Sequence, residues 1–174
     1  MLLEDILDKI EDKGVRQEIE SRKNKLLQFD TLEKRQLSSE IKASLRPYQA
    51  SGFNWLQSLD DLGWGGCLAD DMGLGKTIQV IAFILQLRKK HGVQTHLLVL
   101  PTSLIHNWKD ELQKFAPSVK LLIHHGPDRA KTPEGFDGHE VIITTYNTLT
   151  ADIGFLRKYN FSYVFLDESQ NIKN

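Results

Sequence analysis

The stretch Asp70-Asp71-Met72-Gly73-Leu74-Gly75-Lys76-Thr77 constrains this chain more than any other. It is entered from small residues, Gly65-Gly66-Cys67-Leu68-Ala69, and left through an apolar run with helical spacing. A small-residue strand, a glycine turn and a Lys-Thr pair opening a helix together make an arrangement that holds the phosphates of a nucleotide. Backbone N–H groups in the turn and at the helix start surround the anionic oxygens, where the helix dipole also favours negative charge. The lysine supplies a point charge to the β- and γ-phosphates, and the threonine hydroxyl is a Mg²⁺ ligand. Gly73 and Gly75 permit positive φ and close backbone approach. The general phosphate-loop pattern wants a glycine where this chain has Asp70, so a glycine turn capping an ordinary helix is the competing reading.

The far end of the chain bears on that choice. Tyr163-Val164-Phe165-Leu166 predicts a buried strand, and Asp167-Glu168 follow at its end. A phosphate loop needs a carboxylate near its Mg²⁺, and hydrolysis needs a group that activates water. An acidic pair at the carboxyl end of a parallel strand supplies both, on the sheet edge where open α/β folds bind ligands. Asp167 is the candidate for the Mg²⁺ shell, and Glu168 the candidate that orients or deprotonates the attacking water. A solvated acidic pair opening a loop is the plainer alternative, and the two elements in this order argue against it.

At 174 residues the expectation is one domain with an appendage, long enough to bury a real core. The chain is 40% hydrophobic and 26% charged with a net charge of −1, so no global basic field points to nucleic acid and any such contact is local. The single cysteine, Cys67, has no internal disulfide partner and falls in the expected apolar strand, which suits a reducing compartment. The six histidines show no zinc spacing, and the His124-His125 pair at a strand end reads as structural. The first residues are too acidic for a signal peptide, and no apolar run approaches membrane-spanning length.

Residues 1–40 read as a small helical lead-in. Leu2, Leu3, Ile6, Leu7 and Ile10 share one helical face, Gly14 is the expected break, and a second helix is predicted from Val15 to Leu27. Asp30 or Thr31 is placed to cap a third helix carrying Leu32 and Leu37. From Leu45-Arg46-Pro47-Tyr48-Gln49 the pattern changes. Pro47 suits the first turn of a helix running through Phe53, Trp55, Leu56 and Leu59. Gln49 has an amide that can match the donor and acceptor of an adenine edge, although an exposed helix glutamine needs no such role.

Strands and helices then alternate. Lys76 to His91 is predicted helical, with Arg88-Lys89-Lys90 and Gly92 where a helix C-terminus favours cations and glycine. His96 to Leu100 is a buried strand, and Pro101-Thr102-Ser103 leads into a helix carrying Trp108, Leu112 and Phe115. Val119 to His124 and Val141 to Thr144 are further strands, separated by a Gly/Pro-rich loop from Gly126 to Gly138. Asn147 to Tyr159 is mostly helical. This alternation implies an α/β fold whose parallel sheet is covered on both faces.

Taken together, Leu45-Arg46-Pro47-Tyr48-Gln49, the Asp70–Thr77 loop, Leu98-Val99-Leu100-Pro101, Thr144-Thr145-Tyr146 and Asp167-Glu168-Ser169-Gln170 resemble the first motor lobe of Swi/Snf-type helicase-like ATPases. The closing Asn171-Ile172-Lys173-Asn174 fits too, and the resemblance covers about residues 40–174. Aspartate at position 70 is usual in that family, whereas Ser169 stands where the family usually has alanine or glycine. The resemblance implies a RecA-like three-layer α/β lobe over residues 41–174 with a mainly parallel sheet, using ATP and Mg²⁺ to translocate along duplex DNA without separating its strands. It implies catalytic roles for Lys76, Asp167 and Glu168, nucleotide contacts from Arg46, Gln49, Asp71, Met72, Gly73, Leu74, Gly75, Lys76 and Thr77, and metal contacts from Thr77 and Asp167. It further implies DNA phosphate contacts at Thr102, Ser103, Thr144 and Thr145, where helix capping is the alternative use of the same hydroxyls. Lys109 and Lys114 could add local charge.

The resemblance also implies a second lobe with an arginine finger, a protein cargo such as RNA polymerase or a nucleosome, no membrane partner, and a nucleoid or nuclear location according to source. A phosphate-loop NTPase acting on RNA or protein, and a non-catalytic nucleotide-binding module, remain the alternatives. In lobes of this kind a further strand follows the acidic motif and lies between the phosphate-loop strand and the Asp-Glu strand. With the sequence ending at Asn174, the expectation is an incomplete sheet. Either the two strands close up, or a second chain fills the gap, or the sequence is part of a longer protein. In each case Glu168 is expected to be displaced and turnover by this chain negligible.

Overall fold

The computed structural model describes residues 35–172 apart from Met72, and before them residues 13–15, 17, 19 and 21. The described residues divide into two compact units, one within Met1–Gln36 and Arg46–Leu74, the other within Leu37–Leu45 and Gly75–Asn174. The expected helical face from Leu2 to Ile10 lies outside the described residues, as do Leu27, Asp30, Thr31 and Leu32. Gly14, expected to break a helix, is helical together with Lys13 and Val15. A single glycine costs a helix only about 1 kcal/mol relative to alanine, too little to end one whose neighbours continue it. Leu37, expected in a third helix, has no helical structure.

The first unit is built on helix α1 (Pro47–Leu62). Pro47 occupies the opening turn, where a missing N–H costs no intrahelical bond. The Gln49 side chain turns back so that its Oε1 accepts the Arg46 backbone N–H at 2.9 Å. Gly63, at φ 67°, closes the helix, and its N–H donates to the Asp60 carbonyl while that of Trp64 donates to Leu59, both at 2.9 Å. Arg35 ties the preceding chain to α1, its backbone N–H donating to Asn54 Oδ1 at 3.2 Å and its guanidinium pairing with Asp61.

Residues 64–70 follow α1 without forming the expected strand, and Cys67, placed in that strand by the sequence, is exposed. A strand is stable only when its N–H and C=O groups are paired, and among the described residues no strand pairs with this segment. What holds the segment locally is close approach. A Cβ on Gly66 would meet Leu59 Cδ1 at 2.3 Å and Trp55 Cη2 at 2.8 Å, so any larger residue there requires these α1 side chains to shift.

The second unit is the α/β layer. Its elements are α2 (Lys76–His91), β1 (His96–Leu100), α3 (Ile105–Phe115), β2 (Leu121–His124), β3 (Val141–Thr145), α4 (Tyr146–Leu156) and β4 (Tyr163–Leu166). A 3₁₀ turn, Thr102–Leu104, leads into α3, and another, Pro133–Phe136, lies in the loop before β3. The four strands form one all-parallel sheet in the order β2-β3-β1-β4. His96 of β1 sits beside Val141 of β3 and Tyr163 of β4, so the strands start and end nearly level.

Alternation along the strands sorts the side chains. Leu98, Leu100, Val141 and Ile143 pack with Ile81, Ile84 and Leu85 of α2 and with Ile105, Trp108 and Leu112 of α3. Leu97, Val99 and Ile142 pack on the opposite face with Phe136, Leu156, Leu149 and Phe155. Each such aliphatic or aromatic side chain contributes about 1.5–3 kcal/mol on full burial. Strand β4 departs from expectation. It is half-buried and not buried, with Val164 53% and Leu166 46% exposed. It is the last strand on its side of the sheet among the described residues, so only Tyr163 and Phe165 are covered, by Phe83 of α2 at ring distances of 5.4 and 6.2 Å.

Arg88 knits the lower edge together. Its guanidinium bonds Glu140 just before β3 at 3.1 and 3.2 Å, the Ser118 hydroxyl at 2.7 Å, and the Glu40 carboxylate. The sequence explains Arg88 as a cation at a helix C-terminus. Its larger role is as partner to Glu140, whose side chain is 5% exposed.

Candidate functional site

Parallel strands with helical crossovers place every strand C-terminus and every following helix N-terminus on one edge of a sheet. Here that edge carries Leu100 beside Thr145, and Leu166 beside Val99. Helix α2 enters β1 through residues 92–95 at the opposite edge, so its first residues, Lys76 and Thr77, start near the end where β1 finishes. Gly75, left-handed at φ 78°, brings no side-chain oxygen to the start of α2. That geometry leaves the helix start suited to an external anion.

The loop before it shows the turn expected of it. Gly73 is at φ 82°, and the Leu74 N–H reaches the Asp71 carbonyl at 3.4 Å. Asp71, Gly73 and Leu74 are exposed, and Met72 lies outside the described residues. Gln49 is buried, with its Oε1 taken by Arg46 N–H and its Nε2 donating to the Leu74 carbonyl at 3.0 Å. Its amide thus braces the loop, and Nε2 also donates to the Tyr48 hydroxyl at 3.5 Å. The Arg46 side chain is exposed.

The acidic motif is held in detail. Asp167 continues the β4 ladder by donating its N–H to the Val99 carbonyl at 2.9 Å. Strand alternation puts its side chain on the face of Tyr163 and Phe165, towards α2 and α3. There Oδ2 accepts the indole N–H of Trp108 at 2.7 Å, and Oδ1 accepts the Glu168 N–H at 3.0 Å. The Tyr146 phenol donates to the Asp167 carbonyl at 2.7 Å. Glu168 is the one non-glycine residue with positive φ among those described, at φ 50° and ψ 49°. Holding a non-glycine residue there costs about 1–2 kcal/mol. The strain is offset by Asn171, whose side-chain amide and backbone N–H both donate to the Glu168 carbonyl at 2.9 Å, and by Gln170, which donates to its carboxylate.

Neighbouring charges feel this carboxylate. Burial raises the Glu111 pKa and the negative charge of Asp167 raises it further, while Asn107 and Lys114 act the other way. The Tyr146 phenol is raised by burial and by the charges of Asp167 and Glu168.

No group of three or more metal-ligating side chains occurs among the described residues. Mg²⁺ does not require one, because it binds through one or two protein oxygens together with phosphates and waters. The hard oxygens of Thr77 and Asp167 fit that pattern, and Asp167 keeps lone pairs beyond the two hydrogen bonds it accepts.

The four hydroxyls assigned to DNA divide into two pairs. Thr102 and Ser103 are exposed on the turn leaving β1. Thr144 and Thr145 are buried and bonded within the fold, Thr145 in the capping use that the sequence offered as the alternative to phosphate contact. Thr144 Oγ1 donates to the His124 carbonyl at 3.0 Å, and Thr145 Oγ1 caps α4 by accepting the Thr148 N–H at 3.2 Å. His124 is buried and bonds Asp152 at 2.9 Å, and Asp152 is gripped in turn by Arg129. The sequence placed Trp108 on a helix and Tyr146 in a motif but gave neither a role at the site. Their signal lay in the alternation of β4, which already aims Asp167 at the α3 face.

A parallel α/β layer with a Lys-Thr helix start and a braced Asp-Glu pair at its carboxyl edge defines a nucleotide-binding lobe. Residues 48–174 match the model of the SNF2-related domain family, and the chain belongs to that family. Over 154 residues it is 43% identical to YwqA of Bacillus subtilis, covering 86% of this chain and 17% of that protein. It is 42% identical over 140 residues to the helicase SWR1 of Cryptococcus neoformans, covering 77% of this chain and 11% of SWR1. Among solved structures it resembles the Sulfolobus solfataricus SWI2/SNF2 ATPase core in complex with dsDNA, with TM-score 0.72 and 43% identity over 80% of this chain and 30% of that one. The chain therefore spans less than a third of the length of each of these proteins.

Proposed function

We propose that residues 41–174 are the first motor lobe of an ATP-driven translocase on duplex DNA. The observation that carries this reading is the position of Asp167, at the carboxyl edge of the sheet and directed to the face that α2 and its Lys76-Thr77 start share. Lys76 faces the β- and γ-phosphates, and Thr77 and Asp167 hold Mg²⁺. The metal neutralises charge developing on the phosphates. Glu168 orients the attacking water and accepts its proton. Thr102 and Ser103, with the helix start behind them, bind DNA phosphates, a contact that positions without reading sequence. The complex of the Sulfolobus core with dsDNA supports the choice of polymer. Hydrolysis requires a second lobe supplying an arginine finger.

The test is calorimetric titration of this chain with ADP and Mg²⁺, compared with Lys76→Ala. Binding by the parent that Lys76→Ala weakens by about tenfold or more supports the site. Equal affinity in both removes Lys76 from it.

A further inference from the structure

Asp167 is gripped from both faces of the sheet. Trp108, 3% exposed and packed in one core with Ile105 and Leu112, donates its indole N–H to Oδ2 at 2.7 Å. Tyr146, packed in the opposite core, donates its phenol to the Asp167 carbonyl at 2.7 Å. Trp108 lies in the first turn of α3, directly behind the exposed turn Thr102–Leu104. Tyr146 opens α4, directly behind Thr145. Both residues that fix Asp167, Trp108 at its carboxylate and Tyr146 at its main-chain carbonyl, therefore stand on helices rising from the carboxyl edge.

We infer that Trp108 and Tyr146 are positioning residues for Asp167, through which a shift of the turn Thr102–Leu104 reaches the metal-holding carboxylate; this rests on the nucleotide reading above. An indole N–H is a donor only, so Trp108 orients Oδ2 without competing for the cation. Its ring is buried and rigid, so movement of α3 is not absorbed by side-chain freedom. Hydrogen bonds weaken steeply with distance and angle, and displacement of α3 turns or releases the carboxylate. Partners of this kind, one bond removed from a metal, orient its ligands.

The test uses the 174-residue chain with ¹⁵N-labelled indoles. Trp55, Trp64 and Trp108 give three indole signals, and Trp108→Phe assigns the last by its loss. Asp167→Asn should move the Trp108 signal with no nucleotide present, and ADP with Mg²⁺ should move it in the parent. In calorimetry, Trp108→Phe should raise the Mg²⁺ concentration for half-maximal ADP binding about tenfold or more while leaving Mg²⁺-free affinity unchanged. General loosening of the fold lowers both. Tyr146→Phe should show the same split and stands in if Trp108→Phe fails to fold. A Trp108 signal unmoved by Asp167→Asn overturns the inference, as does an unchanged Mg²⁺ requirement in both variants. If the parent binds no ADP while Asp167→Asn still moves the signal, the nucleotide reading falls. The metal role given to these two residues falls with it, and the contact alone stands.

Discussion

At the scale of single residues, chemistry divides between groups that face a ligand and groups that hold them. Glu168, proposed to be of the first kind, sits in a left-handed backbone conformation fixed by Asn171 and Gln170. Glu168→Gln keeps its size and these backbone bonds but cannot accept a proton. It should leave nucleotide affinity within about twofold while abolishing hydrolysis in a chain that carries both lobes. Binding and turnover measured on the same variant check this, and turnover at the parent rate contradicts the role. His96 belongs to the second kind. Buried at the start of β1 between Tyr163 and Phe165, its pKa is pushed down to about 4 from an ordinary 6.5 by desolvation. As pH falls the unfolded chain binds the proton first. Stability is therefore full above pH 6.5 and declines towards pH 4, by on the order of 3 kcal/mol. Urea midpoints at pH 7 and pH 4.5 should converge in His96→Phe relative to the parent.

At the scale of elements, helices α2 and α3 and strand β1 were legible because their apolar residues repeat at 3.6 or run unbroken for four positions. The strand expected from Gly65 to Ala69 does not form, because pairing and not local pattern decides whether small residues become a strand. In β4 the sequence Tyr-Val-Phe-Leu is apolar throughout, so it reads as buried; only its place beyond β1 reveals that Val164 and Leu166 are exposed. Thr145 makes a related point, since a threonine before a helix is cap and phosphate ligand by the same chemistry. Thr145→Ala should cost about 1 kcal/mol in chemical denaturation and leave duplex-DNA affinity unaltered. Arg88 joins α2 to the segments before β2 and β3, so Arg88→Ala should cost about 3–5 kcal/mol by leaving Glu140 buried and unpaired. Adding Glu140→Gln should recover part of that loss.

At the scale of the whole molecule, the order of motifs along the chain made the lobe recognisable, while the bonds that organise its acidic edge join residues far apart in sequence. Trp108 and Asp167 are 59 positions apart, and no local pattern pairs them. The family match over residues 48–174 supports the lobe, and the short span against each relative leaves translocation to be measured. Among the described residues no helix is long and apolar enough to cross a membrane. The central claim is that ATP hydrolysis at Lys76, Asp167 and Glu168 is driven by duplex DNA. The direct measurement is ATPase rate in a chain carrying this lobe and a second one, with duplex DNA, RNA or no polymer. Stimulation by duplex DNA of at least tenfold, lost in Glu168→Gln, is the predicted result, the threshold being an order-of-magnitude choice of about 1.4 kcal/mol in barrier height. A rate indifferent to duplex DNA, or raised by RNA alone, would contradict it.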